Sequence, residues 1–125
     1  MATIKLNKDN FDQTVNDNAM VVVDFWAPWC GPCRMFGPVF EAASERYGDV
    51  VFGKVNTEEE PELAGGFGIR SIPTLMILRD QIILYSEAGA LTAGQFDAVL
   101  EQAKALDMET VHRELAQQAD AEKTS

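Results

Sequence analysis

The sequence predicts an α/β fold built on a mixed sheet. Residues 20–26 are apolar at almost every position, which is typical of a strand buried on both faces. Residues 34–47 carry apolar side chains at helical spacing, and a second apolar strand is predicted at 50–55. Because strand–helix–strand connections are right-handed, we expect these two strands to be parallel. Two shorter apolar runs near residue 80 predict an antiparallel hairpin, which makes the sheet mixed.

The amino-terminal segment supplies a further strand and a short helix. Residues 3–6 alternate between apolar and polar side chains, as a half-buried strand does. Asn7 or Asp9 can cap the segment that follows, where Phe11 and Val15 fall on one face of a helix. The strand at 3–6 brings the number of predicted strands to five.

The middle of the chain contains two helices separated by the strand at 50–55. Pro38 lies inside the first helix and is expected to kink it, since proline lacks a backbone donor and clashes with the preceding turn. The acidic segment 57–62 is predicted to be the solvated start of a second, short helix, where the helix dipole favours carboxylates. The pair Gly65-Gly66 weakens that helix.

The hairpin and the last helix of the domain follow. Its strands are predicted at 75–78 and 82–85, and Asp80 in the turn between them can adopt a left-handed conformation. Thr92 is a good cap for a helix whose apolar face runs to Leu106. We therefore predict a domain at 1–106.

Residues 107–125 are predicted to form a helical extension. Met108, Val111 and Leu115 recur at helical spacing, and after Gln118 the chain becomes polar, so its end is expected to fray. His112 is expected to face solvent. Our hypothesis is that this helix packs on the outer face of the 82–85 strand; the alternative is that it mediates a dimer or a partner contact.

Composition and charge exclude several functions. The chain has 125 residues, enough for one domain with its own core, and a net charge of −10. That charge disfavours nucleic acid and anionic membranes as partners. The sequence contains no apolar span of transmembrane length, and its first residues lack the apolar core of a signal peptide. Unless a leader has been removed, we expect a cytoplasmic protein, and we expect a monomer.

The two cysteines are the centre of the predicted chemistry. Cys30 and Cys33 are the only cysteines in the chain, and they lie between a predicted strand and a predicted helix. A thiolate at Cys30 would be favoured by the free N–H groups and the dipole of the helix start. Cys33 is then placed to attack a mixed disulfide formed on Cys30. Pro32 suits the first helical turn, and Gly31 leaves space for a substrate chain.

Two other interpretations of the cysteine pair are weaker. A closed zinc site needs four ligands, and the chain offers only two cysteines and the distant His112, so no metal is expected. A purely structural disulfide over so short a loop would remove little chain entropy and stabilise poorly. Redox chemistry therefore remains the favoured interpretation.

The residues around this pair resemble the thioredoxin family. The resemblance begins with Phe-Trp-Ala-Pro-Trp-Cys-Gly-Pro-Cys at 25–33 and continues at 54–56, 67–74 and 88–90. It spans about residues 3–106 and leaves the extension uncovered. It implies the thioredoxin fold, in which helices flank a mixed five-stranded sheet on both faces.

The resemblance also suggests a role for an acid in the central strand. Asp24 would be costly to bury unpaired, so it is either capped or edge-exposed, or it is a buried acid with a raised pKa. The resemblance implies the second case, with Asp24 as general base and acid for Cys33 and Lys54 as its electrostatic tuner. Trp26 is expected to support the active-site loop from behind.

A substrate-contact surface is implied as well. The family carries a cis proline at the position of Pro73, which would leave the backbone of Ile72 free to pair with an extended substrate. Gly89 would allow close approach of a partner, and Trp29 is expected to be an exposed contact. Thr57 and Ala88 are smaller than the residues common there, so this surface is expected to be less apolar than usual.

The function implied is that of a thiol–disulfide oxidoreductase, an enzyme that reduces disulfide-containing substrate proteins. Its Cys30–Cys33 disulfide would be recycled by thioredoxin reductase, a flavin enzyme that uses NADPH, and no bound cofactor is needed. The rival hypothesis is a binding or chaperone-like module that uses the surface around Trp29, Ile72-Pro73 and Gly89, together with the extension, to hold partners.

Overall fold

The computed structural model describes the backbone of residues 2–124 and the side chains of residues 2–122. Strands and helices alternate up to the hairpin, and two helices close the chain. In order the elements are β1 (Thr3–Lys5), α1 (Phe11–Asp17), β2 (Met20–Trp26), α2 (Gly31–Arg46), β3 (Val51–Asn56), α3 (Pro61–Gly66), β4 (Thr74–Arg79), β5 (Ile82–Ala88), α4 (Ala93–Ala105) and α5 (Met108–Thr124).

The five strands form one mixed sheet, as predicted. The strand order is β1-β3-β2-β4-β5. Strands β1 and β2 both pair with β3 in parallel, whereas β4 pairs antiparallel with β2 and with β5. The central strand β2 is buried over Met20–Phe25 because it has neighbours on both sides and helices on both faces.

Alternate residues of β2 point into two separate cores. Met20 and Val22 join the core beneath α2 and α4, which is rich in phenylalanine: Phe36, Phe40, Phe52 and Phe96. Val21, Val23 and Phe25 join the core that is shared with Phe11 of α1 and Ala64 of α3. The period of two along the strand thus confirms that helices cover both faces of the sheet.

Three local details differ from the sequence prediction. Helix α2 begins at Gly31 rather than at 34, because the Cys30 backbone is extended and caps it. The residue at the cap of α1 is Asn10, while Asn7 accepts hydrogen bonds from the N–H groups of residues 9 and 10. The two-residue hairpin turn places both Asp80 and Gln81 in the left-handed region, at φ 52° and 69°, whereas only Asp80 was expected there.

The extension forms a helix, but its position corrects the packing hypothesis. In α5 the backbone is helical to Thr124, beyond the fraying predicted after Gln118. Met108 is buried and Val111 is half-buried, whereas residues 112–122 are exposed. The His112 ring reaches Asp80 in the hairpin turn, with Nε2 and Oδ2 3.1 Å apart. Contact with the domain is therefore concentrated in the first turns of α5 and near the hairpin turn, and Ile83 on β5 stays 47% exposed.

Candidate functional site

The cysteine pair lies at the start of α2, where the chain leaves the carboxyl end of β2. Cys30 is the N-cap residue, Pro32 occupies the first turn, and Cys30 and Cys33 form a disulfide with their Cα atoms 5.2 Å apart. The Cys33 N–H donates to Cys30 Sγ at 3.2 Å. A helix start that directs an N–H at this sulfur would also stabilise negative charge on it.

Both sulfur-bearing residues are nearly covered. Cys30 is 5% exposed and Cys33 is 4% exposed. We expected Cys33 to be the more buried of the two, but in the disulfide form the two residues are buried almost equally. Buried Ala27 and half-buried Trp26 and Ile72 pack around them, which is where Trp26 was expected. Trp29, in contrast, is 64% exposed and stands beside the pair as an open aromatic surface.

The loop before β4 lies against Cys30. The Ile72–Pro73 bond is cis, and Cys30 Sγ is 3.6 Å from the Ile72 carbonyl oxygen. Gly89 has a φ of 116°, a conformation that side-chain-bearing residues rarely adopt, and its N–H donates to the Pro73 carbonyl at 2.8 Å. The structure therefore brings Trp29, Gly31, Pro32 and these three loop residues to one end of the sheet.

Asp24 is fully buried in the central strand. Its relative exposure is 0%, and neither carboxylate oxygen has a hydrogen-bond partner among the described residues. Burial raises the pKa of Asp24 from its ordinary value of 3.8 to about 7; the nearby Lys54 opposes this rise, and the Glu41 carboxylate adds to it. The alternative of a capped or edge-exposed Asp24 is wrong.

Lys54 lies opposite Asp24 on β3. The two residues are partners in the parallel pairing of β2 and β3. The Lys54 ammonium is 4.8 Å from the centre of the Trp26 ring, so it stacks on the aromatic face while its charge still acts on Asp24. Pro38 is exposed on the middle of α2, with no contact to the cysteines described.

Sequence reasoning missed two residues near the site, Glu41 and Thr3. The Thr3 hydroxyl donates to Glu41 Oε1 at 2.6 Å, and the other carboxylate oxygen of Glu41 is buried without a partner among the described residues. A single acidic residue on the long helix α2 gives little signal by itself. Its position two turns beyond Cys33, one residue after buried Phe40, was the only available indication.

Two features are absent from the described residues, a metal-binding cluster and a membrane-spanning helix. Among the described residues, no cluster of three or more His, Cys, Asp or Glu side chains is arranged to hold a metal ion. Within the same part of the chain, no helix combines the length and the apolar character needed to cross a membrane.

Comparisons with known proteins agree with this geometry. A family model described as Thioredoxin matches residues 2–102. The protein named "Putative thioredoxin 2" of Streptomyces coelicolor is 55% identical over 117 residues, which are 94% of this chain and 87% of that protein. "Thioredoxin 1" of Nostoc sp. is 43% identical over 103 residues, 81% of this chain and 96% of its own.

A solved structure and the longer alignment add two points. A mutant thioredoxin from Halobacterium salinarum superposes with a TM-score of 0.76 at 30% identity, covering 83% of this chain and 91% of that one. An alignment of 117 residues cannot fit within 1–106, so the match to the Streptomyces protein includes part of the extension.

Proposed function

The chain belongs to the thioredoxin family, and from that premise we propose a role for each residue of the site in thiol–disulfide exchange. The protein is a thiol–disulfide oxidoreductase that acts on protein disulfides through Cys30 and Cys33. One observation carries the proposed roles: the two cysteines are at disulfide distance, at the start of a helix.

The first step is an attack by Cys30. In the reduced protein its thiolate attacks one sulfur of a substrate disulfide, the substrate S–S bond breaks, and the other substrate sulfur leaves as a thiolate and takes up a proton. The helix start and the Cys33 N–H stabilise the attacking thiolate. The product is a mixed disulfide between Cys30 and the substrate.

The second step is resolution by Cys33. Asp24 accepts the Cys33 proton, the thiolate attacks Cys30 Sγ, and the remaining substrate sulfur leaves as the Cys30–Cys33 disulfide forms. Two electrons have then passed to the substrate. Because the pKa of Asp24 is about 7, its carboxyl group can both accept and return a proton near neutral pH. Lys54 tunes that group from the neighbouring strand.

The surface around Cys30 holds the substrate chain. Trp29 offers its exposed ring, and the Ile72 carbonyl lies against the reacting sulfur. Gly31 and Gly89 leave space for a backbone to approach, and with Pro32 and Pro73 they complete the contact surface. Trp26 and Pro38 support the loop and the helix. We assign the catalytic domain to 1–106 and the rest of the chain to an extension of it, which is helical over Met108–Thr124.

The family supports a proposal for how the disulfide is recycled and where the protein works. Thioredoxins act with thioredoxin reductase and with disulfide substrates in general, so we assign the reduction of the Cys30–Cys33 disulfide to the flavin enzyme that uses NADPH. The protein works as a cytoplasmic monomer without a bound cofactor. Support for the compartment comes from its bacterial relatives and from a reducing environment that suits a cycling cysteine pair.

Reduction of insulin disulfides with dithiothreitol as donor tests these roles. We expect turnover by the intact chain and a loss of roughly 100-fold or more in Cys33→Ser, because the mixed disulfide can no longer be resolved. The variant should also accumulate a covalent complex with insulin, which Cys30→Ser should not form. Equal turnover by Cys33→Ser and the intact chain would contradict the role of Cys33.

A further inference from the structure

Glu41 occupies an unusual position for a surface helix residue. It lies on α2, the same helix that begins at the cysteine pair, and its carboxylate is held by the Thr3 hydroxyl of β1 at 2.6 Å. Its second oxygen is buried and lacks a hydrogen-bond partner among the described residues. A partly desolvated carboxylate costs free energy unless it is fully hydrogen-bonded, so this arrangement calls for a function.

The strand register places Glu41 and Asp24 on the same face of the sheet. Thr3 pairs with Phe52, and Phe52 pairs with Val22, two residues before Asp24 on β2. Side chains two apart on a strand share a face, and this is the face that α2 covers. The Glu41 carboxylate therefore lies above the sheet within electrostatic reach of the buried acid.

Few other groups act on Asp24. The charged groups that affect it are Lys54 from β3 and Glu41 from α2. Its partner on β4 is Leu75, which is buried and apolar. The charge of Glu41 opposes that of Lys54, and neither is cancelled by a polar neighbour bonded to Asp24.

We propose that Glu41, anchored by the Thr3 hydroxyl above the face of the sheet that carries Asp24, is a positioning residue for the resolving step: its negative charge makes Asp24 a stronger base toward Cys33. This inference rests on the proposed role of Asp24. The physical basis is that a charge acts strongly through a poorly screened interior. The direction agrees with the pKa of Asp24, which the Glu41 carboxylate raises.

The test is Glu41→Gln, which removes the charge but keeps an oxygen for the Thr3 hydroxyl. Titration of the Asp24 carboxyl carbon is followed by NMR in the oxidised protein, where the cysteines do not titrate. We expect the midpoint to fall by a few tenths of a pH unit to about one unit, because removing a nearby negative charge makes ionisation of the buried carboxyl easier. Glu45→Gln, an equal charge change at an exposed site one turn further along α2, is the matched control.

Two further variants separate charge from structure. In Glu41→Asp the midpoint of the Asp24 titration should fall by less than in Glu41→Gln, because the negative charge is kept. In Thr3→Val the midpoint should also fall by less than in Glu41→Gln, because the charge of Glu41 remains but is no longer anchored. The pH dependence of mixed-disulfide resolution should move to lower pH with Glu41→Gln.

An Asp24 midpoint in Glu41→Gln that equals that of the Glu45→Gln control would overturn the proposal, as would a midpoint in Glu41→Asp as low as that in Glu41→Gln. Because the titration requires no turnover, this result is independent of the insulin assay, which tests the roles of the cysteines. A variant can therefore fail one measurement and pass the other.

Discussion

The two ends of the central strands differ in whether their charged side chains have hydrogen-bond partners. Near the carboxyl end of β2, Asp24 is buried with no hydrogen-bond partner among the described residues, and beyond that end Trp29 is 64% exposed. At the other end, Arg79 on β4 donates from Nη1 to the carbonyls of Ala103, Lys104 and Leu106 at 3.0, 3.2 and 3.0 Å. The same sheet thus combines an unsatisfied acid with a cation that has three acceptors.

This difference separates stability from function within one small domain. The last carbonyls of a helix lack intrahelical partners, so a cation that binds them satisfies groups that would otherwise need water. A buried acid without partners does the reverse: it destabilises the fold whenever it is ionised, and in return it can exchange a proton near neutral pH. Substitutions at either end of the sheet test this difference between a group that destabilises the fold and one that stabilises it.

The largest effect is expected for Asp24→Asn, which removes the ionisable group from the active-site end. An unfolded chain ionises this residue near its ordinary pKa of 3.8, whereas the folded protein keeps the proton up to about 7. The stability of the intact protein should therefore fall as pH rises between these values and stay low above them. The variant should be more stable at pH 8 by up to roughly 4 kcal/mol and about equal at pH 4.

Urea unfolding of the oxidised proteins at pH 4, 6 and 8 measures this gain. Asp12→Asn, which removes a carboxylate from an exposed position on α1 instead of from the buried strand, provides the control. The same Asp24 variant should resolve the mixed disulfide more slowly. A gain in stability that is the same at pH 4 and pH 8 would contradict the assignment, because it could not come from a proton bound only by the folded state.

A smaller effect of the opposite sign is expected for Arg79→Ala at the other end of the sheet. The variant leaves three carbonyls at the end of α4 without their cationic donor, so we expect a loss of about 2–3 kcal/mol in the free energy of unfolding. Insulin turnover should not change, since β4 begins at the active site and Arg79 lies at its far end. Arg70→Ala, at an exposed position before β4, is the matched control; equal losses would show that the carbonyl contacts do not matter.

Most of the fold could be predicted from the sequence because its signals are local. The apolar run of β2, the helical spacing of α2 and the cap at Thr92 each report on a few neighbouring residues, and the structure contains all three elements. The hairpin turn was placed correctly although it has no glycine. The N-cap of α1 is Asn10, although the Asn7 side chain accepts from the N–H groups of residues 9 and 10, because several polar residues in a row can each cap and only tertiary contacts choose among them.

The site was predictable to the extent that its motif is continuous. Cys30, Cys33 and the proline at 73 lie in segments that the resemblance covers, whereas Glu41 acts through a contact to Thr3 that is 38 residues distant in sequence. The position of α5 also could not be predicted from the sequence. Its apolar spacing predicts a buried face, but that spacing does not show that only Met108 and Val111 find cover.

The smallest effect concerns the extension. A chain that ends at Leu106 still offers Arg79 an oxygen at that residue, now in the terminal carboxylate, but loses buried Met108 and the contact between His112 and Asp80. We expect a loss of about 1–2 kcal/mol, mostly from Met108, because an exposed polar contact contributes little. A chain that ends at Gln118 should lose less than about 0.5 kcal/mol, because residues 119–122 are exposed.

Thermal unfolding and insulin turnover of both truncated chains distinguish packing from function. If α5 only completes the stable end of the sheet, the chain ending at Leu106 should unfold at a lower temperature and turn over insulin at the same rate. Unchanged unfolding would show that Met108 contributes no packing, and the contrast between the two ends would then rest on Arg79 alone. A change in turnover would contradict the separation itself, because a segment remote from Cys30 would be contributing to the reaction.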